Sequence, residues 1–186
     1  MYRAVALWAI RNGTTLDDWH RLEQLARAAD IRLEERSDRI ILNGEDVSEA
    51  IRDEAISDAA SRVSAIPGVR RALVEKQKEY ATTRNIVMEG RDIGTVVFPD
   101  ARVKIFLDAA PNIRASRRHE QLLSKGLDCD SSKVEQEMLT RDERDRTRPE
   151  APLLQAPDAE YVDASSMDIA GVEETVLRIV RERTSH

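Results

Sequence analysis

The sequence predicts an α/β fold built on a parallel sheet, and three observations carry that expectation. Short β-branched apolar runs stand at 85–89 (NIVME), 103–107 (VKIFL) and Tyr161-Val162, in the length range of buried strands. Helical patterns at about 111–125 and 169–183 follow the second and third runs. Alternation of this kind gives parallel strands whose two faces are covered by helices.

The elements before the first run are helical or form a small antiparallel piece. Residues 2–12 carry a helical pattern that Gly13 stops, since glycine accepts the left-handed conformation of a helix end. Thr15, with Asp18 three residues on, is the expected cap of a helix reaching Ala29 and burying Leu16, Trp19, Leu22, Leu25 and Ala26. From Asp30 the period becomes two. Ile31 and Leu33 alternate with polar residues, Ser37-Asp38 turns, and 39–42 returns as a strand before a second turn at Asn43-Gly44. Two helices, about 48–66 and 68–82, meet at Pro67-Gly68. Further on, a charged helix over about 132–148, ended by Pro149 and Pro152, reads as a solvated lobe outside the sheet.

Length and composition set the class. The 186 residues suit one domain, and 41% hydrophobic with 34% charged residues is a globular composition. No apolar stretch approaches the roughly 18 residues of a membrane span. The opening residues carry Arg3 and Arg11 and do not read as a signal peptide. A lone cysteine, Cys129, has no internal disulfide partner, for which a reducing cytoplasm is the simplest expected home. The net charge of −6 argues against a nucleic-acid or anionic-membrane partner.

Several chemistries find no support. None of the seven glycines precedes a lysine, so G-x-x-x-x-G-K-[ST] is absent and no residues are assigned to hold ATP phosphates. His20, His119, His186 and Cys129 lack metal-ligand spacing. There is no G-x-S-x-G nucleophile motif.

Two segments carry positive signals. In NIVMEGRDIGT (85–95), Gly90 turns the backbone after an expected strand, and Arg91 and Asp92 emerge at its carboxyl end, where open parallel sheets bind ligands. Arg91 can fork onto a phosphate and Asp92 can accept from an exocyclic amine; a self-satisfied ion pair explains the dipeptide equally well. RDERDRTR (141–148) packs four arginines and three acids into eight residues. At 100° per residue Arg141, Asp145 and Arg148 share one face, with Arg144 beside them. Clustered arginines suit neutralisation of phosphoryl charge during transfer; a solvated helix with i, i+4 pairs is the alternative. Ser61 and Arg70, flanking the helix joint, are weak signals by themselves.

NGEDVSEAIR (43–52), GRDIGTVVFPDA (90–101), VKIFLDA (103–109) and RDERDRTRPEAPL (141–153), in this order, strongly resemble bacterial-type cytidylate kinases. The resemblance implies a P-loop NTPase-like parallel sheet with helices on both faces, a monophosphate-binding insertion and a helical lid. It divides the chain into core (about 1–13, 83–125 and 156–186), monophosphate lobe (about 14–82) and lid (about 126–155). It further implies phosphorylation of CMP and dCMP by ATP with Mg²⁺, in a monomer. Ser61, Arg70 and Asp92 would read cytosine, and Arg3, Arg91 and Arg148 would hold the monophosphate. Arg141 and Asp145 would meet sugar and phosphates, and Arg141, Arg144 and Arg148 would serve the transfer itself.

The chain departs from that family at its start. Relatives open with a strand, a G-P-x-G-x-G-K-[ST] loop, a helix and a strand ending in D-[ST]-G-x-x-Y-R; here Tyr2-Arg3 stands where that motif ends. The expectation is therefore that about 35–40 residues, one βαβ unit, are missing through a late-assigned start or a natural truncation. Such a chain would have impaired turnover, or act as a CMP-binding remnant without chemistry. A nucleic-acid binder using the lid arginines is a third class, disfavoured by the interleaved Asp142, Glu143 and Asp145.

Overall fold

A computed structural model of the chain describes residues 1–34, 37, 39–82 and 85–185. It divides into two compact units, Met1–Val87 and Met88–His186.

The first unit is mainly helical. Its elements are α1 (Tyr2–Arg11), α2 (Trp19–Ala28), β1 (Ile31–Leu33), β2 (Ile40–Leu42), β3 (Glu45–Asp46), a 3₁₀ turn (Ala50–Arg52), α3 (Glu54–Ser64) and α4 (Pro67–Ala81). Helix α1 buries Ala4, Val5, Ala6, Leu7 and Ala9, and so is covered on most of its circumference. It packs on α3, and α2 packs on α4. Leu22, Val47, Val63, Val69 and Leu73 are also fully buried in this unit, each worth about 1.5–3 kcal/mol of transfer free energy if moved from water.

The antiparallel sheet runs β1-β2-β3. Its last turn needs two left-handed residues, which Asn43 (φ 51) and Gly44 (φ 88) supply. The Tyr80 hydroxyl bonds both the amide and the carbonyl of Leu33, tying the end of α4 to β1.

Several expectations are corrected in this unit. The cap of α2 is Asp18, which accepts from the Arg21 amide at 2.9 Å, not Thr15. Trp19 thereby becomes the first helical residue and is 65% exposed, while Leu16 is only partly buried. The expected helix 48–66 is two pieces, because Asp53 is extended (φ −61, ψ 146) and caps α3 through the Ala55 amide. Strand β2 begins at Ile40, one residue later than expected. The Ser37-Asp38 turn cannot be placed, since Asp38 lies outside the described residues.

The second unit contains a π-helical turn (Ile93–Val97), β4 (Ile105–Asp108), α5 (Pro111–Ser124), α6 (Ser131–Thr147), β5 (Glu160–Asp163) and α7 (Ile169–Thr184). β4 and β5 are parallel, with Ile105 opposite Glu160 and Asp108 opposite Asp163. Phe106 and Tyr161 stack across the pair, ring centroids 6.1 Å apart. Ser165 closes the carboxyl end: its hydroxyl accepts from the Ala110 amide at 2.8 Å and donates to Asp163.

Here too there are corrections. Residues 85–89 form no strand. A parallel strand is stabilised by ladder bonds and by cover on both faces; no described strand pairs with this run, and Val87 is fully exposed. The parallel sheet has two strands among the described residues, and Leu107 and Tyr161 are each 54% exposed. The expected cover of both faces is therefore only partial. No described helix is long and apolar enough to cross a membrane.

Candidate functional site

The candidate residues fall into one cluster in each unit. In the first unit they gather around α3. Arg3, on α1, donates from Nη1 to the Ile51 carbonyl at 2.9 Å and from Nη2 to the Ser57 hydroxyl at 3.2 Å. Ser61 is buried on α3, and its carbonyl accepts from the Ser64 hydroxyl at 2.8 Å. Arg70, 2% exposed, donates from Nη1 to the Ser64 carbonyl at 2.9 Å. A cation at the carbonyl end of a helix is favourable electrostatically. The Tyr2 ring also lies against Arg70, 5.5 Å from centroid to guanidinium carbon, within cation–π range.

In the second unit the cluster joins the loop before the π-helical turn to the end of α6. Gly90 sits close against the Ile93 side chain there. A Cβ at this position would come within 2.8 Å of the Ile93 side chain, so the glycine admits a close approach and does not serve a positive φ. The Asp92 carbonyl accepts from the Val96 and Val97 amides at 2.9 and 3.2 Å, which starts the π turn.

The charges then interlock. Arg91 Nε lies 3.1 Å from Asp145 Oδ2. Arg148 Nη2 lies 3.7 Å from Asp92 Oδ1, and its Nη1 lies 3.7 Å from Asp145 Oδ1. Asp92, Asp145 and Arg148 are all buried. The Arg91-Asp92 dipeptide is thus tied to α6 and its cap through both residues. Arg141 and Arg144 are half-buried on α6, and the Arg144 carbonyl accepts from the Arg148 amide at 3.1 Å.

Arg148 departs from the expected helical face. It caps α6 in an extended conformation (φ −59, ψ 140), because Pro149 disfavours the helical region for the residue before it. The chain then folds back: Arg148 Nε donates to the Ala151 carbonyl at 2.6 Å, and the Leu153 amide donates to the Asp145 carbonyl at 2.8 Å. Ala151 takes φ 50 to make this turn, a conformation that costs a non-glycine residue on the order of 1 kcal/mol. Local strain is spent on placing one guanidinium between two carboxylates.

Two residues escaped the sequence reading. Arg114, on α5, reaches Asp142 of α6 with Nη1 2.5 Å from Oδ2. Asp142 and Asp145 sit three apart on one helix face; paired carboxylates on an otherwise polar helix were the signal available. Lys104 bonds Asp158 and the Pro99 carbonyl and packs its stem by Gly94, which supports the loop bearing Asp92.

No group of three His, Cys, Asp or Glu side chains among the described residues is arranged to hold a metal ion, and His186 lies outside those residues. A recess of the first unit lined by Met1, Ile31, Lys76 and Tyr80 contains none of the candidate ligands.

A family model described as cytidylate kinase matches residues 1–182. The chain belongs to the cytidylate kinase family. Members are phosphotransferases, and the chain's relatives include proteins named cytidylate kinase. The one from Solibacter usitatus is 53% identical over 100% of this chain and 80% of its own length. Those from Pelotomaculum thermopropionicum and Aeromonas salmonicida are 46% and 44% identical, over 100% and 98% of this chain and 81% and 80% of their own lengths. The mixed helix-and-parallel-sheet architecture is consistent with a kinase fold.

Proposed function

We propose that these residues form the acceptor side of an ATP-dependent kinase that converts CMP and dCMP to CDP and dCDP in the cytoplasm. The observation that carries this reading is the buried Arg148 held between Asp92 and Asp145, with Arg91 on the latter. Guanidinium forks recognise phosphate, and carboxylates accept from an amine or a sugar hydroxyl. Under this reading Asp92, Arg70 and Ser61 select cytosine. Uracil presents a carbonyl where cytosine has an amine, so a buried carboxylate rejects it. Arg3, Arg91 and Arg148 hold the monophosphate, Asp145 takes the ribose, and Arg141 and Arg144 neutralise charge developing on the transferred group. The proposed division into core (1–13, 83–125, 156–186), monophosphate lobe (14–82) and lid (126–155) accompanies this assignment, as do a P-loop NTPase-like sheet and a monomer.

The donor side is a separate matter. No G-x-x-x-x-G-K-[ST] stretch occurs within the 186 residues, and phosphoryl transfer relies on such backbone amides and lysine. These 186 residues are therefore expected to bind CMP with negligible turnover. The second reading, a CMP-binding protein without chemistry, rests on the same observation. Purified protein should show CMP-dependent thermal stabilisation but no CDP formation from ATP. Robust CDP formation by the 186 residues would refute the donor-side assignment; absence of stabilisation by CMP would refute the acceptor-side one.

A further inference from the structure

The end of α6 carries most of the second cluster, yet it is nearly devoid of apolar anchors. Beyond Val134, the buried positions of α6 are Asp142 and Asp145 alone. Leu139 is exposed, and Met138 is only half-buried. A helix held by so little apolar area needs another attachment.

We propose that Arg114 is a positioning residue that straps the end of α6 to the carboxyl end of β4 and thereby sets Asp145 and Arg148. Its guanidinium engages both elements at once. Nε donates to the carbonyl of Ala109, the residue that follows β4, at 2.9 Å, and Nη1 meets Asp142 Oδ2 at 2.5 Å. A planar fork holds two acceptors in fixed geometry, which an ammonium does not. Asp142 lies one turn before Asp145 and is buried, so its charge has little water to fall back on. Removing the fork leaves that carboxylate uncompensated and takes away the attachment one turn from Asp145. Asp145 and Arg148 then lose their fixed relation to Arg91 and Asp92.

The consequence for ligand binding rests on the CMP reading given above; the strap itself does not. Amide hydrogen exchange on the full chain tests it without ligand, since exchange reports local opening residue by residue. Arg114→Met keeps the stem without charge, and Arg114→Lys keeps stem and charge without the fork. Asp142→Asn removes only the partner charge and serves where Arg114→Met fails to fold. The expected result is exchange at 139–148 about 10-fold faster or more in Arg114→Met and Asp142→Asn, with α1 and α3 unchanged and Arg114→Lys in between. CMP affinity should fall about 10- to 100-fold, as for a displaced positioning group. Unchanged exchange at 139–148 in the folded variants overturns the strap. So does equal behaviour of the Met and Lys variants, since packing of the stem would then suffice. If the unmodified protein binds no CMP, the functional reading is at fault and the exchange result alone judges the strap.

Discussion

The first unit buries Leu22, Leu73, Val5, Val63 and Val69 almost completely, whereas the second buries four alanines, a few larger apolar side chains and the charges of Asp92, Asp142, Asp145 and Arg148. In the first, non-directional apolar burial fixes the helices, and the candidate ligands Arg3, Ser61 and Arg70 are held against backbone carbonyls and hydroxyls. In the second, the buried charges of the candidate ligands pair with one another. A buried ion pair adds little net stability over an apolar pair, but losing one member leaves the other charge uncompensated. The same side chains therefore help hold the second unit together and, under the proposed reading, also bind the substrate. Any anion that takes Arg148 must displace carboxylates, and those carboxylates then need donors. An amine and a sugar hydroxyl are such donors.

This contrast can be broken most severely at Arg148. Arg148→Met should cost the second unit about 3–5 kcal/mol, seen as an earlier local unfolding transition while α1 and α3 keep their exchange protection. A similar loss in both units would mean that their stabilities are not separable in this way. In the first unit, Leu73→Ala should cost about 2–5 kcal/mol through lost transfer energy and a cavity, measured by denaturant melting. It should leave protection at 139–148 unchanged. The smallest effect is a gain. Ala151→Gly relieves the positive φ and should be neutral or stabilise the second unit by up to about 1 kcal/mol; clear destabilisation there would show that the turn after α6 is unstrained.

What the sequence disclosed follows the same division. Helices α1, α5 and α7 and the Asn43-Gly44 turn were legible because their determinants are local: periodicity, a stop residue, a pair that tolerates φ > 0. Residues 85–89 differ from the expected strand because a strand is a property of a pair, and the apolar run alone says nothing of its partner. Trp19 was misplaced because Thr15 and Asp18 are both competent caps, and the choice between them rotates the helix. At the candidate site, the arginine and aspartate positions were visible as a charged run. The arrangement was not. Pro149 already signalled that Arg148 leaves the helix, but nothing local says that Asp142 answers an arginine on α5, twenty-eight residues earlier in the chain.

The central proposal is that Asp92, Asp145 and the arginines around them recognise cytidine monophosphate. Calorimetric titration of the protein with CMP and with UMP tests it most directly. The account predicts saturable CMP binding at least about 10-fold tighter than UMP, equivalent to roughly 1.4 kcal/mol, with the preference abolished in Asp92→Asn. Equal affinity for the two nucleotides, or a preference that survives Asp92→Asn, would contradict it.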